Sequence, residues 1–241
     1  MKKENIHIGC SAFNNTYWKK IFYPDDLPRS KWFDFYASQF STYELNGTFY
    51  KAPTVKSLKT WYDKVPVDFL FSVKAPKLIT HYKKFKDCKN DIDEFYAICR
   101  EGLQEKLACV LFQLPPSYDY SEEKLELIIN SVNPDFKNVV EFRHKSWWNE
   151  AVFKIFAANN ITFCSVSYDK LPSDLIETNS IGYVRLHGVP RLFYSEYAQS
   201  ELQKLHDDIR KYSFNEIFVY FNNTASEAGI LNAVEMKKLE R

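Results

Sequence analysis

An α/β barrel of the (β/α)8 type is the fold this sequence predicts, and three observations carry the prediction. Short β-branched or aromatic runs alternate with amphipathic segments from one end of the chain to the other. Eight such runs fall within 241 residues, close to the ~250 typical of this barrel. Polar side chains collect at the C-terminal ends of those runs, where such barrels place their sites. An open doubly wound sheet is the alternative that the same alternation allows.

The strands are expected at residues 6–10, 42–45, 70–74, 108–112, 138–142, 161–166, 182–186 and 217–221. Each is rich in Val, Ile, Phe, Tyr or Thr and bounded by turn residues. Helical spacing separates several of them. Thr54 can cap a helix that carries Val55, Leu58, Tyr62 and Val65 on one face. Asp91 precedes Ile92, Phe95, Cys99 and Leu103, and Ser121 precedes Leu125, Ile128, Ile129 and Val132. Glu122 and Glu123 sit in the first turn of that helix, where the backbone dipole favours acids. Ser200 precedes Leu202, Leu205, Ile209 and Tyr212, and Thr224 precedes Ala228, Leu231 and Val234. No linker, repeat or charge block interrupts the pattern, so residues 1–241 are read as one domain.

Composition removes some function classes. Lys and Arg total 32 against 31 Asp and Glu, a net charge of +1 that draws the protein globally to neither nucleic acid nor a membrane. No apolar run approaches the roughly 20 residues of a spanning helix. The start Met1-Lys2-Lys3-Glu4-Asn5 is charged rather than signal-like. Five cysteines without a C-x-x-C pair point to reduced thiols packed as small core residues, and so to a cytoplasmic protein.

The polar strand ends carry the functional reading. Glu44 and Asn46 end the second strand, Lys74 the third, Gln113 the fourth, Glu141 and Arg143 the fifth, Arg185 and His187 the seventh, Asn222 and Asn223 the eighth. His144 follows the fifth and His81 lies beyond the third. Strand side chains alternate, so Glu44 with Asn46, Glu141 with Arg143, and Arg185 with His187 share faces. Such pairs fit a barrel mouth better than a strand–helix interface. The competing reading is a set of satisfied internal ion pairs, Glu141 with Arg143 or Arg185 among them. Lys74, Arg143 and Arg185 make the expected pocket neutral to positive, which suits a phosphate or carboxylate. No cofactor is predicted. A divalent metal on Glu and His is kept as an alternative, disfavoured because hard cations want carboxylates without competing cations.

Aromatic residues make up 17% of the chain and many follow strands. Tyr50, Trp147, Trp148, Phe193, Tyr194 and Tyr197, with Phe13, Tyr17, Trp18, Phe22 and Tyr23 in the first loop, are candidates for a rim that stacks on a sugar or a base. Their other reading is loop packing. His7 and His206 read as structural. There is no G-x-G-x-x-G, Walker, G-x-S-x-G or H-E-x-x-H motif. Cys10 as a nucleophile is a minor alternative to Cys10 as a small core residue.

Several segments together resemble the DUF72 (YecE-like) family. They are Gly9-Cys10-Ser11 with Tyr17-Trp18, Phe22-Tyr23-Pro24, the run from Tyr43 to Tyr50, and Val73-Lys74-Ala75-Pro76 with Ile79-Thr80-His81. Phe112-Gln113-Leu114-Pro115-Pro116, Glu141-Phe142-Arg143-His144 with Ser146-Trp147, Tyr183 to Gly188, and Tyr220-Phe221-Asn222-Asn223 complete the set. The resemblance runs in order along nearly the whole chain. It implies a TIM-like barrel and no particular reaction. Two departures stand out: Ala12-Phe13 replaces the family's Gly-Trp, and Ser165-Val166-Ser167-Tyr168 lacks the family's Asp, with Asp169 slightly later.

The expected function is therefore an enzyme acting by acid/base chemistry on a small anionic, sugar-like substrate at the strand ends. Glu44, Glu141, His187 and His144 are the candidate proton-transfer groups. Asn46, Tyr50, Lys74, His81, Gln113, Arg143, Trp147, Arg185, Asn222 and Asn223 are the candidate substrate contacts. A nucleic-acid phosphodiesterase using Lys19, Lys20, Lys51, Lys77, Lys83, Lys84 and Lys86 is the first alternative, and a ligand-binding barrel without turnover the second. No membrane contact is expected, and the sequence assigns no oligomeric state.

Overall fold

The computed structural model describes residues 5–240. The charged start, residues 1–4, and Arg241 lie outside the described residues. Nine parallel strands form two sheets, not the single ring of eight that the sequence suggests. One sheet has the order β1 (Asn5–Cys10), β9 (Glu216–Phe221), β8 (Ile181–Leu186), β7 (Ser165–Ser167). The other runs β2 (Thr42–Leu45), β3 (Leu70–Lys74), β4 (Leu107–Gln113), β5 (Asn138–Glu141), β6 (Thr162–Phe163). The expected sixth strand is divided at Cys164. Its first half pairs with β5 and its second half with β8, so one chain segment belongs to both sheets.

At the opposite seam β1 and β2 lie side by side without a ladder. The Tyr36 hydroxyl stands between them, accepting from the Cys10 amide at 2.7 Å and donating to the Thr42 carbonyl at 3.0 Å. Gly9 allows this approach, because a Cβ there would lie 2.4 Å from the Thr42 oxygen.

The helices α1 (Trp32–Gln39), α2 (Gly47–Tyr50), α3 (Val55–Tyr62), α4 (Lys89–Leu103), α5 (Glu122–Ser131), α6 (Glu150–Ala158), α7 (Gln199–Ile209) and α8 (Ala228–Lys238) connect the strands. Thr54 and Ser121 cap α3 and α5 through their side-chain oxygens as expected. α4 and α7 begin slightly before the expected caps, and α8 begins four residues beyond Thr224. Helices α1, α2 and α6 were not expected from the spacing.

Strand alternation divides the core in two. One set of side chains packs between strands and helices. The other fills the space between the sheets: Cys109, Leu111, Val139, Cys164, Val166, Tyr183, Phe218 and Tyr220. In the same interior the Tyr220 hydroxyl bonds Thr42 at 2.5 Å and Ser72 at 3.0 Å, tying the two sheets together. Continuing each inward column by two residues gives the site: Gln113 after Leu111, Glu141 after Val139, Arg185 after Tyr183, Asn222 after Tyr220, Glu44 after Thr42, and Lys74 after Ser72.

Candidate functional site

A cavity of about 590 Å³ opens at the C-terminal strand ends. Asn46, Lys74, Gln113, Arg143, Arg185 and Asn222 line its polar wall, with Ser11 from the end of β1. Phe49, Tyr50, His81, Tyr168, Phe193 and Tyr194 surround them. Helix α2 starts directly after Asn46 and carries Phe49 and Tyr50 over the opening. A π-helical turn, Leu78–Lys83, carries His81 inward. Gly188 turns the chain after β8 with φ +76°, and the loop returns Phe193 and Tyr194 to the wall.

Beneath this wall runs a continuous ionic network. Arg185 donates to Glu44 through Nε at 2.9 Å and Nη2 at 2.7 Å, and to Glu141 through Nη1 at 2.5 Å. The Arg143 Nε donates to the second Glu141 oxygen. Glu44 also accepts from the Tyr183 hydroxyl at 2.7 Å and the Asn46 amide at 3.0 Å. Glu44, Glu141 and His187 are fully buried and do not line the cavity. Burial alone would raise the Glu141 carboxyl, but the guanidiniums of Arg143 and Arg185 hold it well below the usual range.

The same network holds His187 through both ring nitrogens. Asn222 gives its amide N–H to the Ser11 hydroxyl, so its oxygen accepts from His187 Nδ1 at 2.8 Å. Nε2 then faces Arg143 Nη2 at 3.1 Å and Glu141 Oε1 at 3.3 Å. Burial and the Arg143 charge push the imidazole pKa down to about 3, so it stays neutral. Arg143 is pinned from the other side by stacking 4.0 Å from the Tyr168 ring centroid.

Lys74 differs from every other cation at this place. It is 9 % exposed and lines the cavity, yet among the described residues its Nζ has no hydrogen bond or ion pair. The ammonium lies over the face of Phe49, 4.3 Å from the ring centroid. Burial first, then the Arg185 charge, lower its pKa to about 7 against the opposing pull of Glu141 and Glu44. His81 is held to about 4 by burial and by Lys74, and its Nδ1 meets the Thr80 hydroxyl at 3.0 Å.

The structure thus gathers ten of the sequence-derived candidates around the cavity: Asn46, Tyr50, Lys74, His81, Gln113, Arg143, Arg185, Asn222 and the rim residues Phe193 and Tyr194. It sets Glu44, Glu141 and His187 under the floor, committed to guanidinium, amide and hydroxyl partners. His144 lies outside, capping the turn at Ser146 through Nδ1. Trp147 is buried core, stacked 3.9 Å from Phe142 and bonded to the Tyr118 carbonyl. Asn223 is buried against Ser195 and Asn232. Trp18 and Tyr23 are core as well, and Tyr197 braces Ser167 and Gly188. Cys10 is buried and desolvation raises its thiol pKa, which leaves it a poor nucleophile.

Phe49, Tyr168 and Ala225 are wall residues that the sequence does not single out. The available signal was position, since each follows a strand end by one to four residues. Tyr168 stands beside the Asp169 noted as late. Asp169 pairs with Lys170 and does not line the cavity.

Among the described residues no group of three or more His, Cys, Asp or Glu is arranged to hold a metal ion. No helix among them is long and apolar enough to cross a membrane. Of the lysines proposed to face nucleic acid, Lys19 and Lys20 pair with Asp25 and Lys83 with Asp91.

Comparison with known proteins agrees with the fold. A DUF72 family protein of Thermotoga maritima superposes with a TM-score of 0.88 at 31% identity, covering 98% of this chain and 99% of that one. A DUF72 family protein of Enterococcus faecalis superposes at 0.83 with 18% identity, covering 98% and 95%, which speaks for the fold alone. The Bacillus subtilis UPF0759 protein YunF is 24% identical over 97% of this chain and 94% of its own length. The Escherichia coli UPF0759 protein YecE is 24% identical over 59% of this chain and half of its own. A family profile described as protein of unknown function DUF72 matches residues 7–241, and the chain belongs to that family.

Proposed function

We propose that the chain is an enzyme acting by acid/base chemistry on a small anionic, sugar-like substrate, held at a barrel mouth that the two sheets form jointly. One observation carries this reading. In the network the two carboxylates Glu44 and Glu141 offset the two guanidiniums Arg143 and Arg185, which leaves Lys74 as the uncompensated cation. Among the described residues no carboxylate lines the cavity. An incoming phosphate or carboxylate would supply the missing negative charge.

The roles follow from which atoms are uncommitted. Arg143 spends Nε and Nη2 on Glu141 and His187, and its Nη1 has no partner among the described residues. That N–H pair is the anion contact, supported by Ser11, Asn222 and Thr224 nearby on the wall. Arg185 has Nε and Nη2 saturated by Glu44 and serves to position Glu44 and Glu141. Lys74, poised near pH 7, is the proton-transfer group best matched to neutral conditions. Tyr50 and Tyr194, both well exposed, offer flat faces to a sugar ring.

The experiment is a screen of sugar phosphates and sugar acids by proton and phosphorus NMR, reading both line broadening and turnover. The expected result is conversion of at least one compound by the native chain and none by Lys74→Met. Conversion that survives in Lys74→Met would refute the assignment.

A further inference from the structure

We propose that Lys74 is a covalent catalyst, its amine forming an imine with an aldehyde or ketone carried by the anionic substrate. The proposal rests on the anion reading above and names the substrate class more closely, as a carbonyl compound bearing a phosphate or carboxylate.

Two lysines are buried among the described residues, and their contrast is the geometric basis. Lys106 is 4 % exposed and donates to the carbonyls of Tyr62 and Val65 at 2.8 and 2.9 Å, which closes the C-terminal end of α3. Its ammonium is satisfied and structural. Lys74 is buried to a similar degree, but it lines the cavity and its Nζ, over the Phe49 ring, has no oxygen partner among the described residues. Leaving an ammonium half-desolvated and unpaired costs stability, which proteins accept mainly at functional sites.

The surroundings favour the free amine over the ammonium. Arg185 from β8 and Arg143 from the end of β5 oppose its charge, Glu44 and Glu141 favour it, and His81 beside it is neutral. Desolvation decides the balance, and the pKa falls to about 7. Near pH 7 roughly half of Lys74 is then free amine, against about one part in several thousand for an ordinary lysine.

The step balances without a further reactant. The Nζ lone pair attacks the carbonyl carbon and the C–O π pair moves to oxygen. One proton passes from nitrogen to that oxygen and one arrives from solvent. The oxygen departs as water, and the iminium keeps the positive charge next to Glu44 and Glu141. Arg143 would meanwhile hold the remote anionic group, which keeps that charge off the amine.

Pyridoxal 5′-phosphate, which joins an aldehyde to a phosphate, is the probe. The native chain is incubated with it at neutral pH, reduced with borohydride and mapped by peptide mass spectrometry. Lys74 should carry the adduct about tenfold or more ahead of any surface lysine, and Lys74→Arg should lose that adduct while its circular dichroism is unchanged. Inorganic phosphate binding is measured in parallel by calorimetry. Phosphate binding without preferential Lys74 labelling overturns the amine proposal and leaves the anion reading intact. Preferential labelling without phosphate binding keeps the amine and overturns the anion reading. Labelling spread over surface lysines overturns the proposal even if Lys74→Arg fails to fold.

Discussion

Arg185 and Glu44 form a two-pronged pair, Nε to Oε2 at 2.9 Å and Nη2 to Oε1 at 2.7 Å, with both side chains essentially removed from solvent. The third guanidinium nitrogen reaches Glu141 across the interior. One arginine therefore bridges two buried carboxylates.

Arg185→Met should be strongly destabilising, because it strands Glu44 as a buried charge and leaves Glu141 with Arg143 alone. The expected cost is about 3–5 kcal/mol, the range for breaking a buried pair by removing one partner. Urea unfolding followed by circular dichroism checks it. A loss below about 1 kcal/mol would mean that the carboxylates find other compensation.

His187 predicts a pH dependence with a definite sign. Its pKa falls from 6.5 in the unfolded chain to about 3 in the fold, so between those values the unfolded chain binds more protons. Its contribution to stability is complete above pH 6.5 and is lost as pH falls toward 3. The slope is about 1.4 kcal/mol per pH unit. His187→Asn should flatten the curve by that amount relative to the native chain between pH 6 and about 4. Glu141, held low, adds loss in the same direction only further down, as pH falls below its ordinary 4.5. Parallel curves for native and His187→Asn would contradict the assignment of a neutral imidazole.

Lys74→Met should raise stability while removing function. A lysine whose pKa drops from 10.5 to about 7 on folding destabilises the fold most below pH 7, where it is charged in both states. The substitution should gain about 1–3 kcal/mol at pH 6. That gain should shrink as pH rises from 7 to 10.5, because the native chain recovers stability there. Thermal unfolding at pH 6 and pH 9 measures both. A destabilised variant at pH 6 would show that Lys74 has a partner in solution.

Tyr36→Phe tests the seam between the sheets. It leaves the Cys10 amide and the Thr42 carbonyl without their shared hydroxyl, at a cost of about 1–3 kcal/mol. Hydrogen exchange at Cys10 should accelerate more than at Leu111 in the middle of β4. Uniform acceleration would indicate that the seam has no separate opening.

The strands and the polar column ends were legible because alternation is a local property. Thr42-Tyr43-Glu44 or Tyr183-Val184-Arg185 shows which residues share a face wherever the strand sits. What the sequence could not give was the depth of each polar group. Glu141 and Arg185 are 44 residues apart, and only the fold brings them to contact below the wall. Trp147 shows the same limit: it follows a strand end, but the turn Lys145–Trp147 folds its ring onto Phe142. Helices α1 and α6 escaped notice because WFDFYASQ and EAVFKIFAA are apolar on more than one face, which blurs the helical period. The expected single ring became two sheets because Cys164 interrupts one strand and Tyr36 replaces one ladder.

The central claim is that Arg143 and Lys74 together hold an anionic, sugar-like substrate at the strand ends. Calorimetric titration of the native chain with ribose 5-phosphate, beside Arg143→Met and Lys74→Met, tests it most directly. The account predicts saturable binding to one site that weakens about tenfold or more in each variant, as loss of a charge-assisted contact of about 1.5–3 kcal/mol requires. Equal affinity in all three proteins, or binding that survives in both variants, would contradict it.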